Sequence, residues 1–264
     1  MIRRPLCAAF VLIIAILAAA CDRAPIEWRD PEPLPPALAS TNELAFDGQG
    51  RLVAPAPSAF SPPVFTAQCA GSVRVARDTI GDWFAVWWQV RTDSTADIVV
   101  SRSADGVAWD PAIRVDSADV GAVACRRPAP SIDVEGGNVH VAYTMAAREG
   151  AGIFASHSMD RGMTFHSPVV VVYGERIGQT AIAARGDLVA VAYEDPNSDP
   201  RRVGVAFSRT LGHTFEDREL VSPPTGAATA PAVAIGNGLI AVSWSRGTGA
   251  DASAPRMLRQ GTIR

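Results

Sequence analysis

The sequence predicts an all-β fold built from a repeat of about fifty residues, the signature of a propeller or solenoid. Four strand-like runs end in Trp87, Tyr143, Tyr193 and Trp244, spaced 56, 50 and 51 residues apart. A turn motif of Ser, Asp, Gly and an aromatic keeps the same period at Asp105, Asp160 and Thr210. Finally, 20 Pro and 22 Gly among 264 residues favour many turns over long helices.

Composition bounds the function. With 48% hydrophobic and 19% charged residues the chain can bury a core, which excludes a disordered, collagen-like or multi-span membrane protein. A net charge of -3 argues against a nucleic-acid partner. All 24 basic residues are Arg, so a cationic site here is built from planar forks that suit carboxylate or phosphate.

Residues 1–20 read as a signal peptide. Arg3 and Arg4 give a positive start, Leu6 to Leu17 is almost wholly apolar, and Ala18, Ala19 and Ala20 form a small-residue exit, too short in total for a spanning helix. The run Leu17-Ala18-Ala19-Ala20-Cys21 resembles the lipobox of bacterial lipoproteins, although Ala18 stands where Leu is usual. The resemblance implies export and a membrane anchor through lipidated Cys21 in the bacterial cell envelope, with inner or outer membrane left open. A plain secretory signal cut near Ala20 is the alternative, and it also implies export. Residues 21–63 carry Pro25, Pro31, Pro33, Pro35, Pro36, Pro55, Pro57, Pro62 and Pro63 with little apolar periodicity. That composition predicts a semi-extended tether holding the folded part, residues 64–264, away from the bilayer.

The folded part reads as hairpins. Asp82–Trp87, Asn138–Tyr143, Asp187–Tyr193 and Gly238–Trp244 alternate apolar and small or polar residues, and each follows a Gly or Asn turn. Short apolar runs such as Ser131–Val134 and Ala181–Ala184 precede them.

The turn motif carries a family resemblance. Ser158, Asp160, Gly162, Thr164 and Phe165 match every fixed position of the Asp box, S-x-D-x-G-x-T-[WF]. Ser103, Asp105, Gly106 and Trp109 form a version one residue shorter, while Ser208, Gly212, Thr214 and Phe215 form one with Thr210 in place of the Asp. Over roughly residues 69–264 the chain therefore resembles the sialidase-like, Asp-box (BNR-repeat) β-propellers, which implies four-stranded antiparallel blades. The box is structural: the Asp accepts from N–H groups of its own turn, Gly supplies backbone freedom and the aromatic anchors the turn. Repeats beginning at Cys69, Cys125, Glu175 and Gly226 leave the last one 39 residues long and short of a strand. An N-terminal strand is expected to complete it and hide the open edge, and residues 44–53 are the candidate. Cys69 and Cys125 hold the same place in adjacent repeats, so the resemblance implies a disulfide between inter-blade links; two buried free thiols are the alternative.

Antiparallel blades put the boxes and the turns near Gly81, Gly136, Gly186 and Gly236 on one face, and the longer polar loops on the other. A sialidase of this class would need an Arg clamp for a carboxylate, a Tyr nucleophile with a Glu beside it, and an acid/base. The residues that fall on the loop face are Arg126, Arg127 and Arg176, with Tyr173, Glu175, Tyr143, Glu194 and Asp195 near them. The family's Arg-Ile-Pro motif is absent and no Arg triad can be placed by motif. Tyr143 and Tyr193 share the register of Trp87 and Trp244, which points to packing between blades. His140, His157, His166 and His213 show no ligand spacing along the chain, so neither metal nor cofactor is expected. The resulting expectation is a non-catalytic propeller binding a glycan or envelope protein through its Arg-rich loop face. An exo-glycosidase of sialidase type and a scaffold of an envelope complex are the alternatives.

Overall fold

Strands form where apolar residues alternate along runs bounded by Gly, Asn and Pro, and the computed structural model, which describes residues 26–38, 43–55, 60–176, 178–247 and 255–264, places one at every run singled out above. The N-terminal part contributes β1 (Ile26–Trp28), β2 (Glu32–Pro33), a 3-10 turn at Pro36–Leu38, β3 (Ala45–Phe46) and β4 (Leu52–Val53). Blade 1 is β5 (Arg74–Arg77), β6 (Trp83–Val90), β7 (Ala96–Ser103) and β8 (Ile113–Asp116). Blade 2 is β9 (Ser131–Glu135), β10 (Asn138–Ala147), β11 (Gly150–Ser158) and β12 (Val169–Tyr173). Blade 3 is β13 (Thr180–Arg185), β14 (Leu188–Glu194), β15 (Val203–Ser208) and β16 (Asp217–Leu220). Blade 4 takes β17 (Ala228–Gly236), β18 (Leu239–Arg246) and β19 (Arg256–Ile263), and every pairing is antiparallel. The fold is an all-β propeller of four-stranded blades.

Successive side chains of a strand point to opposite faces, and each blade uses this to feed two cores. In β10, Val141 and Tyr143 pack toward Phe84, Val86 and Trp88 of blade 1, whereas Ala142 joins Ile182, Val189 and Val191 of blade 3. In β14 the same alternation sends Val191 and Tyr193 to blade 2 and Ala190 and Ala192 to Trp244 and Val233 of blade 4. The closing aromatics Trp87, Tyr143, Tyr193 and Trp244 are all buried, as their shared register predicts. Backbone turns are also pinned between blades: Asp78 accepts from Gly136 N and Gly137 N at 2.8 and 2.7 Å, and Glu135 accepts from Gly186 N at 2.5 Å.

The last blade is completed from the N-terminus, but by a different segment than expected. β1 pairs with β19 in the register Ile26 to Ile263 and Trp28 to Gly261, and β2 pairs further along the same strand. Residues 44–53 instead form the β3–β4 hairpin, which lies against β17, with Asn237 Nδ2 donating to the Asp47 carbonyl at 3.1 Å. The tether is corrected along with it. Leu34, Leu38 and Leu44 are buried against Ala232, Ala234, Ala241 and Leu258 on the outer face of blade 4, and Phe65 stacks on Trp87 at 4.8 Å on the outer face of blade 1. Prolines space these few apolar residues so that each reaches one blade, and the segment caps both faces that blades 2 and 3 leave uncovered. Residues 1–20, read above as a signal peptide, and Cys21 lie outside the described residues.

Candidate functional site on the loop face

The blade-to-blade links and the β6–β7, β10–β11 and β14–β15 loops lie together on one face, as antiparallel alternation requires. Cys69 and Cys125 form a disulfide there, with Cα atoms 5.2 Å apart, joining the entry of blade 1 to the link that leaves it.

Beside that bridge, Arg127 turns inward. Its buried guanidinium pairs with the buried carboxylate of Asp119, donates to the carbonyls of Gly121 and Ala124, and lies 5.2 Å from the centre of the Trp88 ring. Asp119 also accepts from Ala96 N at 2.7 Å and Gly121 N at 3.2 Å. The fork is committed to its own link, so Arg127 is a structural strut and not a carboxylate clamp. A buried fork costs little only when its donors are satisfied in this way.

The other candidates divide by link. Arg126 is exposed on the first link, together with the exposed apolar residues Val120 and Val123. Tyr173, Glu175 and Arg176 share the link from blade 2 to blade 3 and are all exposed. Arg176 reaches the β14–β15 loop, donating to the carbonyls of Pro196 at 3.3 Å and Ser198 and lying 3.8 Å from Asp199. Asn197 of that loop donates to the Tyr173 carbonyl at 2.8 Å. Tyr173 is 49% exposed, and its ring stands edge-on to Phe154 at 6.4 Å. Thus Arg176 and the Tyr173 backbone are tied to residues 196–199, with Glu175 between them on the same link, while Arg127 is held apart by its own partners.

Neither Tyr143 nor Tyr193 is set up as a nucleophile. The buried Tyr143 hydroxyl donates to Asp116 at 2.6 Å, and burial followed by that carboxylate pushes its pKa well above the ordinary value. Burial and the nearby Asp195 push Tyr193 up to about 12. Activation requires the opposite shift. Glu194 is likewise engaged, with Arg201 Nη1 at 2.5 Å and Ala230 N at 2.9 Å.

On the opposite face the three motif segments adopt one geometry. In blade 2, Ser158 Oγ accepts from Gly162 N at 2.9 Å and donates to Asp160 at 2.7 Å, while Asp160 accepts from Thr164 N at 2.8 Å and Thr164 Oγ1 at 2.6 Å. These hydrogen bonds hold the half-buried Asp160 carboxyl down at about 2. In blade 1 the same part is played by Ser103 and by Asp105, which accepts from Val107 N and Ala108 N. Gly162 and Gly212 take φ of 79° and 87°, the left-handed region that the turn requires and glycine enters at no steric cost.

One grouping on this face departs from the sequence expectation. His140 and His157 are cross-strand partners, and His166 and His213 close around them, with the His157 ring centre 4.4 Å from each of the latter two. Burial, then the neighbouring imidazoles, lowers His157 to about 4, and burial lowers His140 to about 4. The convergence is set by strand register and by the juxtaposition of two turns. The one signal in the sequence is the place of His166 and His213 at or just after turns a repeat apart.

No protein-family model matches the sequence, and no curated protein matches it. Among solved structures the chain is similar to a protein of unknown function from Dyadobacter fermentans, with a TM-score of 0.53 and 12% identity over 90% of this chain and 72% of that one. It is also similar to the GH93 alpha-L-arabinofuranosidase of Fusarium graminearum in complex with arabinobiose, with a TM-score of 0.50 and 14% identity over 73% of this chain and 61% of that one. A Hadza microbial sialidase is 17% identical over 66% of this chain and 42% of that one, with a TM-score of 0.46. The chain thus spans less than two thirds of the length of either glycosidase. At these identities the likeness is one of fold, and the fold is the β-propeller.

Proposed function

We propose that the chain is an exported, lipid-anchored propeller that binds a glycan through its loop face, at the patch of Tyr173, Glu175 and Arg176. The observation that carries this reading is the half-exposed Tyr173, on the same link as Arg176, whose guanidinium is held on the facing loop. A sugar ring offers an apolar C–H face to cover an aromatic and hydroxyls to pair with charged groups, and Tyr, Glu and Arg supply both kinds of contact. Catalysis of the sialidase type lacks its assembled Arg clamp here, since Arg127 is spent on Asp119. The anchor would be Cys21.

Glycan-array binding tests the reading, and Tyr173→Ala and Arg176→Ala are each expected to abolish a signal that Arg126→Ala retains. A fluorogenic sialoside should remain intact. Hydrolysis lost in Arg176→Ala would replace the binding reading with an exo-glycosidase.

A further inference from the structure

We propose that His157, His166 and His213 form a binding site for a divalent late transition-metal ion, clamping blade 2 to blade 3 on the face opposite the loops. One ring nitrogen from each lies within 4.8 Å of the other two. Tetrahedral coordination at Zn–N bonds of 2.0–2.1 Å needs nitrogens about 3.4 Å apart. His166, which now stacks on the His157 ring, and His213 are exposed and would rotate toward the ion, while His157 is fixed in the core.

Two observations independent of this spacing point to a ligand. The His157 side chain is 97% buried, judged from its 3% relative exposure, yet its Nε2 has no hydrogen-bond partner. A buried, unpaired ring nitrogen is costly unless something binds it. On the other side, His213 Nδ1 lies 2.8 Å from the Thr210 carbonyl, which can only accept. That contact assigns the proton to Nδ1 and leaves Nε2 as a bare lone pair, the arrangement by which a backbone carbonyl orients a metal-bound imidazole. The backbone of the third ligand is tied to the first: His166 N donates to the His157 carbonyl at 2.9 Å, and Ser156 Oγ donates to the His166 carbonyl at 2.7 Å. The donor set is all imidazole, which selects Zn²⁺, Cu²⁺ or Ni²⁺ over Ca²⁺ and Mg²⁺. Exposure of two of the three ligands leaves a coordination position open to solvent. The site lies on the far side of the propeller from Tyr173, so it stands or falls separately from the glycan reading.

The test uses the full chain without a histidine tag, titrated with Zn²⁺ by calorimetry and with Co²⁺ by visible absorption. The four histidines of the chain are all in this cluster, so imidazole ligation can come from nowhere else. One ion per chain, a tetrahedral Co²⁺ spectrum and a Zn²⁺-dependent rise in Tm are expected. Affinity should fall at least tenfold in His213→Ala and in His166→Ala, both surface changes that leave the core intact, and Ca²⁺ should not compete. Binding of equal strength in the His166→Ala/His213→Ala double variant would place the ion elsewhere and overturn the proposal, as would no binding by folded protein.

Discussion

Thr210 stands in blade 3 where Asp160 stands in blade 2, and its hydroxyl takes over the carboxylate's role: Thr210 Oγ1 accepts from Thr214 N at 3.2 Å and shares a hydrogen bond with Thr214 Oγ1 at 3.1 Å. The turn therefore needs an acceptor at this position and not a charge. Acid separates the two. Asp160 has a folded pKa near 2, below the ordinary 3.8, so its contribution is present above about pH 4 and is lost as pH falls toward 2. An NMR titration should show the Thr164 amide moving through that window while the Thr214 amide stays still, and Asp160→Thr should abolish the movement without opening the turn.

Removal of Arg127 should destabilise the fold rather than remove binding. Arg127→Ala strands a buried carboxylate on Asp119 and is expected to lower stability by about 3–5 kcal/mol in urea unfolding. Asp119→Ala should cost a similar amount, and the double variant less than the sum. Glycan binding by the folded fraction of Arg127→Ala should be unchanged.

The Cys69–Cys125 bridge closes a loop with a sequence separation of 56. Reduction should lower stability by about 4 kcal/mol through the freed unfolded chain, read as a shifted denaturant midpoint in dithiothreitol.

Gly261 lies under the strand that completes blade 4. A Cβ there would meet Ile26 Cγ2 at 2.5 Å and the Trp28 ring at 3.0 Å. Gly261→Val should push β1 off β19, cost about 1–3 kcal/mol, and expose residues 26–33 to limited proteolysis while β5 to β18 remain protected.

Much of this architecture could be read from the sequence because period-2 alternation and turn chemistry are local. The four closing aromatics, the hairpins and the motif segments all fall where the repeat puts them. What escaped was long-range. β1 is three residues among prolines, with only Ile26 buried, and pairs with a strand more than two hundred residues away. Leu34 and Leu38 carry no periodicity because each contacts a surface already formed by blade 4. Arg127 and Arg126 are neighbours with opposite fates, decided by whether Asp119 lies in reach. The histidines stand up to 73 positions apart, from 140 to 213, and meet through register and turn geometry that no spacing rule along one element encodes.

The pairing of Ile26 with Ile263 also dictates an order of events in biosynthesis. A chain made from its N-terminus holds β1 without its partner until the last strand has been synthesised, with a separation of 237 residues between the two ends. Blades 1 to 3 can form while the chain is still growing, but the fourth cannot latch until β19 has been made. Completion of blade 4 therefore comes last, and any chaperone that holds residues 26–28 keeps that blade unlatched until it lets go.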